Sequence, residues 1–480
     1  MSADAMLASD DAVGLAARVA AREVSAGELL EAAIARGEAM DPVFNFLAQR
    51  CHERARAAAA AFDAVPQGQR PGGPLAGVPF LVKDLGVDIA GVPTWAGSRF
   101  MAQVPARNST FMDLADAAGL MTFGKTTTPE LGLTVTTESV ATGITRNPWN
   151  PGRVAGGSSG GAAVAVAVGV VPLAQASDGG GSVRVPASCC SLPGLKVSRG
   201  LIPTGPAHVT AWNGLSGIGP IARSVRDLAA FLDVFAGAEP GSRVQPPRPA
   251  AGFAAALRTP LRRLRVAVMR QSGFGVANHA DVDQVFEAAV ARLSALGHGL
   301  AEDRPAIDMP ALMAANITNI AACTAADIDA RAAALGRSFR ADELEPAVAN
   351  WHRMGHARSA PALQAALGVI EAAGAAMDDF FGRHDILLTP TLACPPVEIG
   401  KLSLSNPDVD EFTATYTAFC PFAGLANLTG TPAITLPLGM SADGLPIGVM
   451  AQARFGDDAL LLQLAAELEA TGAFTARWRG

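Results

Sequence analysis

The sequence predicts an α/β fold, and three observations predict it. Short apolar runs of strand type recur along the chain, as in VPFLVKDLGV, ILLTPT, AITLPLG and PIGVMAQ. Helix patterns with recognisable caps are interleaved with them, the alternation that builds a largely buried central sheet. The chain's 480 residues, 50% hydrophobic and 17% charged, are enough to enclose a large core. A length prior alone would suggest about three domains, but there is no internal repeat, and the expectation is one domain over 1–480. It divides into a helical N-terminal segment at about 1–70, a core at about 71–235, and a C-terminal part at about 262–480 behind the Pro/Arg-rich connector AEPGSRVQPPRPA.

The elements follow in order. Ser25 and Glu28 form an S-x-x-E capping box, Leu29, Leu30, Ala33 and Ile34 give the helix one apolar face, and Pro42 marks its end. After the loop PQGQRPGGPLAG, the run VPFLVKDLGV reads as a buried strand that carries a lysine, Lys83, where an apolar residue belongs. The Ala/Gly-rich run from Gly161 to Ala174 is shorter than the roughly 20 residues a bilayer span needs, and it reads as a helix in a crowded interior. Ser224 and Asp227 open another helix in ARSVRDLAAFLDVF, and a strand–helix–strand unit begins at LRRLRVAVM.

Composition excludes several classes of function. The net charge of −7 is spread without blocks or a basic stripe, which argues against nucleic acid or a membrane surface as partner. The acidic start MSADAMLASDDAVGL lacks the basic and apolar regions of a secretion signal, so the cytoplasm is expected. Six scattered cysteines without C-x-x-C pairs read as free thiols. Among seven histidines only His352 and His356 have the i, i+4 spacing of a helical metal pair; without H-E-x-x-H they read as a solvated helix face, and no metal or cofactor is expected.

The chemistry concentrates in GGSSGGAAVAVAVGVVPLAQASDGGGS, residues 156–182, two glycine clusters that expose serines with no histidine nearby. A phosphate cradle would need a P-loop or G-x-G-x-x-G pattern, and neither is present. Gly156, Ser158 and Gly160 match the G-x-S-x-G elbow of α/β-hydrolases, but that motif must follow directly on a strand, and RNPWNPGRVA reads as a turn. In DGGGS, three glycines before Ser182 free the backbone to aim successive amides at one point, the form of an oxyanion nest.

GVPFLVKD, GGSSGG and SDGGGSVRVPASCCSLPGLK, in this order and spacing, resemble the amidase signature family, and the likeness extends from about residue 20 to 470, through GPIARSVRDLA and ANLTGTPAITLPLG. The resemblance implies that family's fold, a central mixed, mostly parallel twisted sheet with helices on both faces. It also implies cofactor-free amide hydrolysis with Lys83 as general base, Ser158 as a bridging serine after a cis peptide bond, and Ser182 as the acyl-forming nucleophile. The oxyanion hole then falls on the amides of Gly179, Gly180, Gly181 and Ser182. Asp178 and Arg184 are expected to shape the loop, Ser177 to touch the bridging serine and to take part in substrate binding, and Cys190 to be buried packing.

Two readings of the substrate compete within the resemblance. The catalytic subunit of glutamyl-tRNA amidotransferase carries an acidic residue in a late segment where this chain has YTAFCPFAGLANLTG, without an acid. TPELGLTVTTE, TRNPWNPGR and the cysteine in ANITNIAAC resemble instead the hydrolases of 6-aminohexanoate cyclic dimer. The implied partner is a small neutral amide, linear or cyclic, with a homodimer left open as the assembly. Its pocket is expected along 131–137 and 416–422, with Tyr416 as a hydrogen-bonding residue. Cys323 is either a pocket residue or a buried helix cysteine.

Overall fold

The structure, a computed structural model, describes residues 1–66, 69–207, 210–406, 408–475, 477 and 478. Its centre is a sheet of eleven strands. In chain order these are β1 (Leu47–Arg50), β2 (Pro79–Lys83) and β3 (Met121–Thr126), then β6 (Leu173–Asp178), β7 (Gly194–Lys196) and β8 (Gly217–Ala222) after a small hairpin of β4 (Glu138–Ser139) and β5 (Gly143–Ile144). β9 (Arg265–Val268), β10 (Gly299–Glu302), β11 (Ile386–Pro390), β12 (Ala433–Met440) and β13 (Pro446–Ala453) complete it. The spatial order is β1-β3-β2-β6-β8-β7-β12-β13-β11-β9-β10. Parallel pairs lie at β3-β2-β6 and β11-β9-β10, and antiparallel pairs run through the middle and at the β1 edge.

Every residue of β2, β3, β11 and β13 is buried. Successive side chains of a strand point to opposite faces, so full burial means that helices cover both faces. The strand-type runs of the sequence thus lie where their apolar content requires. The connector 238–250 crosses the surface without regular structure, and one apolar cluster includes Leu7 near the start and Leu468 near the end.

The helix starts follow their capping residues. Ser25 and Glu28 close a reciprocal capping box at the head of Ala26–Phe44, and Ser224 accepts from Asp227 N at the head of Val225–Phe235. Two expectations are corrected. Pro42 does not end its helix but sits in the last turn, where a missing N–H forfeits one bond. The helix stops at Asn45, left-handed at φ 53°, while Asp41 takes the amides of Phe46 and Leu47, both at 2.8 Å. The run 161–174 is not one helix: the helix covers Gly160–Ala167, and past Pro172 the chain becomes β6.

Two helices, Met309–Leu335 and Ala360–Arg383, are long and apolar enough by length and composition to cross a membrane, although no uninterrupted apolar run predicts it. Their buried residues Leu312, Ala315, Ile370 and Met377 join strand residues Leu387, Ala433 and Met450 in one apolar cluster, so both helices are part of the cover of the sheet.

Candidate active site

β2 and β6 are parallel neighbours, so their carboxyl ends open at the same edge of the sheet, the usual place for a ligand in an open α/β sheet. Lys83 is the last residue of β2 and Asp178 the last of β6. Gln175 Oε1 accepts the Lys83 amide at 2.7 Å and pins the two strands at this point. Ser158 lies just before the helix Gly160–Ala167, and Ser182 just before the helix Arg184–Cys189. Ser159 N donates to Ser182 O at 3.3 Å, which ties the two serine segments together.

The first glycine cluster is glycine because the backbone is crowded there. A Cβ on Gly157 would lie 2.1 Å from Thr136 O, and one on Gly161 would lie 2.5 Å from Thr127 N. No strand runs into Ser158, since 145–157 holds only isolated bridges, and the strand-to-turn demand of a hydrolase elbow is unmet. The Gly157–Ser158 peptide bond is cis.

Lys83 Nζ donates to Ser158 Oγ at 2.6 Å and to Ser177 Oγ at 3.1 Å. Ser177 therefore hydrogen-bonds the same lysine that holds the bridging serine. Burial pushes the Lys83 ammonium down to about 7, against a smaller opposing pull from the Asp178 carboxylate. Asp84, its chain neighbour, pairs with Lys125 at 2.9 Å and leaves Lys83 to the serines.

A second buried network holds the nest. Asp178 takes Arg184 Nε and Nη2 at 2.9 and 3.0 Å, and also the amides of Gly181 at 2.6 Å and Val183 at 3.1 Å. Desolvation raises its pKa, but the Arg184 guanidinium and these donors outweigh it and hold the carboxyl well below the usual range. Asn427 bridges the group, giving Nδ2 to Asp178 Oδ1 and to Leu215 O while its Oδ1 accepts from Arg184. Because Gly181 spends its N–H on Asp178, it departs from the predicted oxyanion set. The amides of Gly179, Gly180 and Ser182 have no acceptor among the described residues.

Ser182 stands at the junction of two lobes of one cleft. The more polar lobe, about 310 Å³, is lined by Ser158, Ser177, Asn213, Cys323 and Thr324 beside the apolar Leu85 and Ile218. The apolar lobe, about 130 Å³, is lined by Leu133, Ile317, Ile320, Trp351, Phe412 and Tyr416. Gly132, Ser182 and Trp212 belong to both. Cys323 is thus a cavity residue, with Asn213 Nδ2 at 3.6 Å from its Sγ, and burial raises its thiol to about 11. Tyr416 Oη stands 3.5 Å from where a Cβ on Gly180 would be.

A model of the family described as Amidase matches residues 28–462. The chain belongs to the amidase family. It is 36% identical to a 6-aminohexanoate-cyclic-dimer hydrolase of Paenarthrobacter ureafaciens over 97% of this chain and 96% of that one. It is also 35% identical to the putative amidase AmiC of Mycobacterium tuberculosis, over 97% and 95%. The solved structure of 6-aminohexanoate cyclic dimer hydrolase superposes with TM-score 0.90 at 34% identity, covering 98% of both chains. A bacterial aryl acylamidase of the amidase signature family gives 0.85 at 27% identity, covering 97% and 96%. This amidase is therefore a hydrolase of amide carbon–nitrogen bonds with the amidase signature fold, and neither the amidotransferase nor the α/β-hydrolase alternative is favoured.

Sequence reasoning missed three residues of this amidase's site. Trp212 and Asn213, both left-handed at φ 52° and 54°, turn into the cleft from a segment without a motif. Asn427 lies in ANLTG, which the resemblance covers without assigning it a role.

Proposed function

We propose that this amidase cleaves a small neutral amide, linear or cyclic, through an acyl-enzyme on Ser182. The observation that carries the reading is the 2.6 Å contact from Lys83 Nζ to Ser158 Oγ, made by a fully buried lysine whose pKa is lowered to about 7. Neutral Lys83 takes the proton of Ser158 Oγ, which takes that of Ser182 Oγ, and the Ser182 oxygen attacks the amide carbonyl. The amides of Gly179, Gly180 and Ser182, left without an acceptor beside the nucleophile among the described residues, are the donors for the oxyanion. Collapse expels the amine with a proton returned through Ser158, and water then cleaves the ester by the same relay. Base, shuttle and nucleophile are all side chains, so the cycle is complete without a cofactor.

Cyclic amides are included because two of the relatives named above, the 6-aminohexanoate cyclic dimer hydrolases, carry that substrate in their names, and because two lobes meeting at Ser182 give a folded or two-armed amide room on each side. Cys323 and Tyr416, one in each lobe, are the proposed substrate contacts, and Ser177 orients Lys83. The six free cysteines support a reducing compartment, the cytoplasm.

A panel of linear amides and cyclic lactam dimers, assayed for amine release, tests the reading. Ser182→Ala is expected to lower turnover of every substrate by ~10,000-fold or more, and a serine-directed phosphonate to label Ser182. Labelling of Ser158, or near-normal turnover by Ser182→Ala, would overturn it.

A further inference from the structure

The helix Pro346–His356 carries two imidazoles one turn apart, and the helix Met309–Leu335 packs against it with Asp329 facing both. His352 Nε2 lies 2.8 Å from Asp329 Oδ1, His356 Nε2 lies 3.0 Å from Asp329 Oδ2, and the two Nε2 atoms are 3.3 Å apart. We propose that Asp329, His352 and His356 form a binding site for one divalent transition-metal ion of the Zn²⁺ type, which clamps the two helices together.

Three features of the chemistry support it. In a tetrahedral Zn²⁺ site with bonds of about 2.0–2.1 Å, neighbouring ligand atoms stand ~3.3 Å apart; the two imidazole nitrogens already stand 3.3 Å apart, and each faces its own oxygen of the Asp329 carboxylate, so the three residues present their ligand atoms around one point. Two imidazole nitrogens and one carboxylate oxygen suit Zn²⁺, Ni²⁺ or Cu²⁺ and disfavour Mg²⁺ or Ca²⁺, which take oxygen ligands. The fourth vertex is reachable: the His356 and Asp329 side chains are 56% and 49% exposed, so an ion and a water can approach from solvent. His352 is more enclosed, and the edge-to-face contact of its ring with Phe339 at 5.2 Å fixes the plane in which its nitrogen points. The spacing of His352 and His356 was visible in the sequence; Asp329 comes from another helix, and only the fold brings it in.

The site does not touch the reacting atoms. It lies on the two helices that wall the apolar lobe, Ile317 and Ile320 from one and Trp351 and Met354 from the other. Trp351 is the chain neighbour of His352, so an ion fixing His352 to Asp329 also fixes the separation of those two walls. The proposal is independent of the catalytic assignment, since it requires only the three side chains and the packing of the two helices.

The test uses the full chain, stripped of metal by chelation and dialysis, with Zn²⁺ and Co²⁺ alone as probes. Calorimetry is expected to find one saturable Zn²⁺ per chain, and saturating Zn²⁺ to raise the melting temperature. Co²⁺ is expected to develop the intense visible bands of a four-coordinate site. Losing a group that merely supports a metal ligand already costs about 10–100-fold in affinity. His352→Ala, His356→Ala and Asp329→Asn are therefore each expected to weaken Zn²⁺ binding by ~100-fold or more. Asp329→Asn keeps a side chain that hydrogen-bonds an imidazole, so its loss of binding separates metal ligation from a simple hydrogen-bonded staple. Absence of saturable binding to the wild type, octahedral Co²⁺ spectra, or unchanged affinity in the three variants would each overturn the proposal. The Co²⁺ spectrum is read on the wild type and remains decisive if a variant fails to fold.

Discussion

Burial of Lys83 has opposed consequences for catalysis and for stability. Desolvation brings its pKa to about 7, which supplies a neutral amine near physiological pH. In the unfolded chain the same lysine keeps its proton to about pH 10.4. Between those values the unfolded state binds the extra proton, so this group's contribution to stability becomes more favourable as pH rises. Below pH 7 both states are protonated and the full penalty stands, roughly 5 kcal/mol at face value. Lys83→Met is therefore expected to gain most on the wild type at about pH 6–7, with the gap in urea-unfolding free energy closing toward about pH 10. In activity the sign is the same: kcat/KM should climb about tenfold per pH unit below 7 and level off above, as free Lys83 loses its proton. A wild-type profile flat across about pH 5–9, or a stability gap that ignores pH, would remove Lys83 from the role of base.

At the scale of elements, the loop from β6 into Arg184–Cys189 owes its shape to three side chains that leave it no freedom. Asp178 and Arg184 are fully buried and paired, and Asn427 reaches them from a helix nearly 250 residues later in the chain. Removing one partner of a buried ion pair strands the other charge, at about 3–5 kcal/mol. Arg184→Met is expected to lose that much in urea unfolding and to lower kcat, because Gly181 and Val183 hang on the same carboxylate. Arg184→Lys should recover little, since an ammonium cannot reproduce the two-pronged contact; full recovery would show that charge alone holds the loop. The partners of this network divide by what a sequence can carry. Asp178, Arg184, Ser158, Ser182 and Lys83 lie in short motifs whose spacing is local, so they were legible. Asn427 and Trp212 were not, because their relation to the site exists only after distant segments pack. Gly181 shows a finer limit: the motif names the glycine, and only the fold shows its N–H turned to Asp178 instead of the cleft. The same holds for 161–174, where an unbroken apolar run hid the change from helix to strand at Pro172.

For the whole molecule, the layout of helices over the sheet decides what the enzyme can tell apart. The α/β pattern and the strand runs were readable because each buried strand must be apolar, whereas the cleft between the covering helices has no sequence period of its own. The resulting cleft is asymmetric about Ser182: Asn213, Cys323 and Thr324 line one lobe, and Ile317, Ile320 and Phe412 line the other. Under the proposed reading, a substrate lying across the nucleophile would extend one arm into each lobe, and the two sides of its scissile bond would meet different surroundings. Each methylene moved from water to an apolar wall contributes about 0.8 kcal/mol, or roughly fourfold in kcat/KM. Two homologous series of amides, lengthened by single methylenes on the acyl side or on the amine side, should therefore diverge. One series is expected to climb about fourfold per methylene until the lobe of about 130 Å³ is full, and the other to stay nearly flat. Ile320→Trp, which fills that lobe, should flatten the rising series and leave the flat one unchanged. Equal slopes for both series, or a rising series that survives Ile320→Trp, would mean that the two lobes do not divide the acyl and amine arms.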